Sequence, residues 1–194
     1  MPFQNRVTPL GELIATPERG LVYGNRGRLH DEHGVIRRQW QLKRWISCRL
    51  EFRGRYRPGG PMAPNRYTGL FFLDDATALA AGHRPCAECR NPDYRSFLAL
   101  TDAGSAGALD SRLHEERLGP KPTRDVASLP DGAFVLVDDE PWVVLDGSLL
   151  RWTPAGYSGG REANGRALLL TPETSVRVLA AGWRGSEPFL HSGR

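Results

Sequence analysis

Cys86 and Cys89 are separated by two residues, in the stretch Leu79-Ala80-Ala81-Gly82-His83-Arg84-Pro85-Cys86-Ala87-Glu88-Cys89-Arg90. A tight turn at that spacing brings both sulfurs to one side, where two thiolates supply half of a tetrahedral zinc site. The competing chemistry is a redox dithiol, which needs a lowered thiol pKa and commonly sits at a helix N-terminus. Here the pair follows Ala80-Ala81-Gly82, which reads as a helix ended by a left-handed glycine. The negative end of a helix does not favour a thiolate. Spacing and context therefore predict zinc in preference to redox chemistry.

A closed zinc site needs four ligands, and the chain has three cysteines. Cys48 is the natural third ligand, or else a small buried residue on the apolar face of a strand; the residues leave both readings open. The fourth ligand is expected to be a histidine. His30 and His33 lie in the loop Arg28-Leu29-His30-Asp31-Glu32-His33. His30 is preferred, because the apolar Leu29 beside it implies burial. The expected metal set is therefore Cys86, Cys89, Cys48 and His30, and a four-ligand site of that kind is structural. His114-Glu115-Glu116 lacks the second histidine of a zincin motif. The sequence holds no Ser-His-Asp signature, phosphate loop or dinucleotide fingerprint.

Residues 68–93 resemble the metal-binding domain of the Ada DNA-repair protein and related small zinc modules. The matching part runs from Ala78 to Arg90: a helix ending Ala-Leu-Ala-Ala-Gly, one variable residue (His83), then Arg-Pro-Cys-x-x-Cys-Arg. The resemblance implies that Cys86 and Cys89 are the second ligand pair of a structural zinc. The family's upstream pair, a Cys-x-x-x-Cys or a His/Cys version of it, has no counterpart in this chain. The methyl-accepting cysteine of Ada belongs to that missing pair, so the resemblance implies a metal site and not methyl transfer.

The second chemical signal is charge. Residues 37–66 carry nine arginines and lysines against one acid, Glu51, in a chain whose net charge is only +4. Trp40, Trp45, Phe52, Tyr56 and Tyr67 interleave with them. Cations contact phosphates and aromatic rings stack on unpaired bases. Arg44, Arg49, Arg53, Arg55, Arg57 and Arg66 are the expected nucleic-acid contacts. The bland alternative is that the aromatics build a core and the arginines keep a strand in solvent.

These residues need elements to hold them. From 46 to 56 apolar and polar residues alternate, which predicts a half-buried strand with a basic outer face. Residues 70–73 read as a buried strand. Asp74 or Asp75 caps a short helix stopped by Gly82, and Pro92-Asp93 opens another. A third short helix precedes Gly119-Pro120. Beyond Pro130 the runs 133–137, 142–145 and 149–152 read as an antiparallel meander, followed by a Gly-rich loop over 158–166 and a strand and helix around Thr171-Pro172. The segment Leu79-Ala80-Ala81-Gly82-His83-Arg84 is echoed by Leu179-Ala180-Ala181-Gly182-Trp183-Arg184, without cysteines.

The expected fold is α+β: antiparallel strands with short helices, zinc-supported, and β-rich towards the C-terminus. Residues 1–194 are expected to form one compact domain, with a zinc-knuckle part (1–102), a helical linker (103–128) and a β-meander part (129–194). The composition is that of a soluble protein, no apolar run is long enough to span a membrane, and an odd number of cysteines fits a reducing cytoplasm. The function expected is zinc binding with a nucleic-acid partner. The rival is a cleft enzyme acting on a small phosphorylated or carboxylated substrate, built from the loops at 26–31 and 64–67 with Arg151, Trp152, Thr153 and Tyr157. A third reading is an interaction module that uses the β-rich half as its surface.

Overall fold

A computed structural model describes residues 1–54 and 59–191. Arg55, Tyr56, Arg57 and Pro58 lie outside the described residues, so two of the six expected nucleic-acid contacts, Arg55 and Arg57, have no structural account.

The fold is α+β, with two six-stranded, mostly antiparallel sheets and four short helices. The first sheet is built from β1 (Gln4–Val7), β2 (Leu13–Ala15), β3 (Val22–Asn25), β4 (Ile46–Cys48), β5 (Leu70–Phe72) and β6 (Arg84–Pro85), in the order β2-β1-β5-β3-β4-β6. Two of its pairings are parallel, β1 with β5 and β4 with β6. The second sheet is antiparallel throughout. It holds β7 (Thr123–Asp125), β8 (Phe134–Val137), β9 (Glu140–Leu145), β10 (Ser148–Thr153), β11 (Gly156–Glu162) and β12 (Arg166–Leu169), in the order β11-β10-β9-β8-β12-β7. Its strands β8 to β11 form the meander read from the sequence.

Between the sheets runs α1 (Asp75–Ala80), buried along its whole length. Asp74 caps it, accepting from the Thr77 backbone N–H at 2.8 Å, and Gly82 stops it with a left-handed φ of 80°. Its alanines explain its position. Ala78 packs into the core of the first sheet with Val22, Leu70 and Phe72, while Ala76 and Ala80 pack against Phe134, Val143 and Trp152 of the second. Leu79 joins a third cluster with Phe97, Leu113 and Leu179. Small side chains let one short helix be enclosed on every side.

The other helices are α2 (Asn91–Ala99), α3 (Ala106–Leu118) and α4 (Glu173–Ala180). The echo has a structural counterpart. Helices α1 and α4 both follow a sheet strand and close the same way: Gly82 and Gly182 are left-handed, and the N–H groups of His83 and Trp183 reach back to the carbonyls of Ala78 and Val178. This is the Schellman closure.

Two expectations are corrected. Among its described residues, the alternating segment 46–56 is a strand only as far as Cys48. Arg53 and Gly54 both take left-handed φ angles, 51° and 60°, and a turn there replaces the pleat. Leu50, which alternation places inside, is exposed. The Gly-rich segment 158–166 is not all loop, because β11 extends to Glu162 as an edge strand; Gly159 takes a left-handed φ and the register shifts there. No helix among the described residues is long and apolar enough to cross a membrane.

Candidate metal centre

The turn that carries Cys86 and Cys89 hangs from β6. Strand β4 pairs with β6 in parallel, with Ile46 opposite Arg84 and Ser47 opposite Pro85. The Cys86 N–H then donates to the Ser47 carbonyl at 2.9 Å. That register sets Cys48 beside Cys86. Cys48 arrives through β6 and not through a direct pairing with β5, since β3 lies between β5 and β4.

The Cys86-Ala87-Glu88-Cys89 segment is a compact turn, closed by the Arg90 N–H donating to the Cys86 carbonyl at 3.1 Å. The three sulfurs of Cys48, Cys86 and Cys89 lie within 4.8 Å of one another, and all three cysteines are free thiols. Zinc–sulfur bonds of about 2.3 Å in a tetrahedron put sulfurs about 3.8 Å apart, a separation compatible with this cluster. The Glu88 N–H points at the Cys86 sulfur at 3.5 Å, and a backbone N–H of Arg49 serves Cys89. Such N–H···S contacts hold thiolates in place.

The three thiols hydrogen-bond one another. Hydrogen bonds from Cys48 and Cys89 hold the Cys86 thiol far below the ordinary range. Cys48, the buried donor to both neighbours, is pushed up. For Cys89 the Cys48 hydrogen bond pulls downward, but its bond to Cys86 and its burial outweigh it, and the net direction is up. Three soft sulfurs at one point, one of them already favoured as a thiolate, suit zinc or another soft divalent ion.

The turn is anchored by arginines that the sequence reading passed over. Arg90 is fully buried. It makes two bonds of 2.7 Å to the Asp75 carboxylate, one of 2.8 Å to Asp93 and one of 2.9 Å to the Ser47 hydroxyl. One side chain thus ties the cysteine turn to α1, α2 and β4. Arg84, on the other flank, is bidentate to Asp110 of α3, at 3.0 Å for each bond. Gly185 leaves room for the Arg90 clamp, because a Cβ there would sit 2.3 Å from the guanidinium. The sequence signal was present: an arginine on each side of the cysteine pair, with acids at two helix starts.

No fourth Cys, His, Asp or Glu among the described residues joins the three sulfurs. The structure does not bring His30 to them. It is buried as expected, but its Nδ1 is 2.6 Å from the Thr68 hydroxyl and its Nε2 is 3.1 Å from the Ala63 carbonyl, so both ring nitrogens are engaged elsewhere. His33 is exposed beside Glu32. His83 is wholly buried against Trp45 and Phe72, and burial, helped by Arg26 and Arg117, pushes its pKa well down.

The cysteines open onto a cavity of about 610 Å³, whose lining includes Arg44, Arg49, Phe52, Tyr67, Arg84 and Asp110. Part of the basic, aromatic stripe therefore rims the cysteine cluster. Arg44 and Tyr67 are exposed there. The Arg49 side chain turns to Glu187, at 3.2 Å, and to Ser186. Arg53 is exposed and lies over the neighbouring Phe52 ring at 5.0 Å, and Arg66 is exposed next to Tyr67. Among the expected core aromatics, Trp45 is buried and Phe52 half-buried. The site read from the sequence is thus brought together in its three cysteines and in part of its basic rim. No protein-family model, curated protein or solved structure matches the chain.

Proposed function

We propose that this protein holds one zinc ion on Cys48, Cys86 and Cys89, and that the basic, aromatic cavity over the cysteines receives nucleic acid. The observation that carries the metal reading is the convergence of three sulfurs from two distant segments on one point. The partner reading is supported by exposed Arg44 and Tyr67 in the lining of the same cavity, with Arg66 beside Tyr67. A cation supplies phosphate contact and an exposed ring supplies a stacking platform. The resemblance to the Ada metal module points to the same Cys86 and Cys89 pair, with Cys48 standing alone where that family has two upstream ligands.

The metal arm is tested by elemental analysis of protein purified without chelators, with one zinc per chain as the expected result. The partner arm is tested by fluorescence anisotropy with labelled single-stranded and duplex oligonucleotides across a salt series. Arg44→Glu combined with Arg66→Glu is expected to weaken binding about tenfold or more and to lower the salt slope by roughly two, one for each lost phosphate contact. Both side chains are exposed, so the fold should survive. Absence of binding at low salt sinks the nucleic-acid reading and leaves the metal reading standing.

One observation favours a second reading. Structural zinc sites have four protein ligands, whereas catalytic sites have three and an exchangeable fourth position. Three cysteines beside a cavity fit the latter. Under this reading the protein hydrolyses a small phosphorylated or carboxylated substrate, with Arg44 and Arg84 lining the cavity that takes the anion. Zinc-dependent turnover of a phosphate or carboxylate ester, lost in Cys48→Ala, would establish it.

A further inference from the structure

We infer that the protein has a second ligand site, a cavity between the two sheets where Arg26 and Arg117 receive an organic anion with an apolar body. The inference is independent of the metal centre.

The cavity measures about 810 Å³, within the range of small-molecule sites. Its cationic end is made by Arg26, just after β3, by Arg117 in the last turn of α3, and by Lys121 in the loop beyond it. Its apolar wall includes Trp40 from the loop before β4, and Leu136 and Leu168 from the second sheet.

The two arginines line the cavity without a carboxylate partner, as Arg6 does elsewhere in the fold, where it is held by the carbonyls of Pro154 and Glu18. Arg26 is 1% exposed and Arg117 is 9% exposed. The buried Arg84 and Arg90 both have carboxylate partners. Among the described residues, Arg26 and Arg117 have none. Arg26 donates to the Gly11 carbonyl at 2.8 Å. Arg117 donates to the carbonyls of Gly82 and Lys43 and lies 2.9 Å from the His114 Nδ1. Every one of these acceptors is neutral. The Nε atoms of both arginines are buried without a partner. Both guanidiniums lie over the Trp45 ring, 4.2 and 4.0 Å from its centre. Lys121 also spends its ammonium on carbonyls, those of Glu116 and Arg117. The single carboxylate in the lining, Glu12, is exposed and pairs with neither arginine.

Burying an unpaired charge is costly, and two neighbouring like charges compound the cost. Burial pushes both guanidiniums down to about 9; on Arg117 the Asp110 carboxylate pulls the other way without pairing to it, and Arg26 adds to the lowering. A bound anion in the adjoining cavity removes that cost. The apolar wall selects the remainder of the molecule. The ligand class is therefore a carboxylate or a phosphate monoester carrying an aliphatic or aromatic body.

Isothermal titration calorimetry on the full chain tests this with octanoate, octyl phosphate and octanol. At least one of the two anions is expected to bind at one site per chain, with Kd below about 1 mM, and at least about tenfold more tightly than octanol. Which anion binds more tightly assigns the head group. Arg117→Met is expected to abolish binding, but it also strips donors from two carbonyls and risks the fold. Lys121→Glu, at a half-buried position, is the companion variant. It is expected to weaken the anion about tenfold with the circular-dichroism spectrum and Tm retained. Failure of both anions to bind, equal binding of octanol, or unchanged affinity in a folded Lys121→Glu variant would overturn the proposal.

Discussion

Replacing Cys86 with serine is expected to release the metal and to lower the stability of the zinc-loaded protein by about 3–5 kcal/mol. Zinc binding in small metal-supported folds contributes about 10–16 kcal/mol, and that free energy is folding free energy. Removing one of three thiolates forfeits a large share of it. The buried Cys86 side chain is small, so without a metal the same change costs only about 1 kcal/mol of packing. Urea unfolding with and without chelator separates the two terms. The wild type should lose stability on chelation, and Cys86→Ser should show no difference between the two conditions. A wild type indifferent to chelator removes the metal reading altogether.

The second large effect is expected at Arg90. Arg90→Met leaves Asp75 buried with neither oxygen paired to a cation and takes one bond from Asp93 and one from the Ser47 hydroxyl. Breaking a buried ion pair from one side costs about 3–5 kcal/mol, because the remaining charge stays desolvated. Arg90→Lys should recover little of this, since an ammonium cannot reproduce the two parallel bonds to Asp75. Pairing Arg90→Met with Asp75→Leu should recover a substantial part, because no orphaned charge is left. Chemical denaturation of the wild type, Arg90→Met, Asp75→Leu and the double variant gives the cycle. A cost below about 1 kcal/mol for Arg90→Met would show that the cysteine turn is held by its backbone pairing alone.

What was readable in the sequence was whatever local chemistry decides. The spacing of Cys86 and Cys89 announced a turn with two convergent sulfurs, and a cap at Asp74 or Asp75 with a stop at Gly82 bounded α1 to within a residue, Asp74 being the cap observed. Burial was also legible: Leu29 marked the His30 segment as interior. What burial cannot reveal is the partner. The His30 nitrogens are engaged by Thr68 and Ala63, more than thirty residues away in the chain. Alternation over 46–56 misled because two left-handed residues, Arg53 and Gly54, outweigh a period-two pattern. The pairing of β4 with β6 was invisible, since a two-residue parallel strand has no pattern of its own. That pairing is what brings Cys48 to the other two cysteines. The arginines were read as one solvent-facing stripe, yet Arg84 and Arg90, outside it, do the structural work around the cysteines.

The strand order of the first sheet has a consequence for how the protein is made. Strands β1 and β2 form one local ribbon, and β3 and β4 form another. Strand β5, which separates them in the sheet, is later in the chain than all four. On the ribosome, therefore, both ribbons emerge with an unpaired edge that only Leu70–Phe72 can fill. Until then the exposed edges are open to the wrong neighbour, and the Cys48 thiol waits without its two companions. Arrival of β5 joins the ribbons, and the helix and turn that follow it at once deliver Cys86 and Cys89. Residues 70–89 thus both complete the sheet and bring the cysteines together.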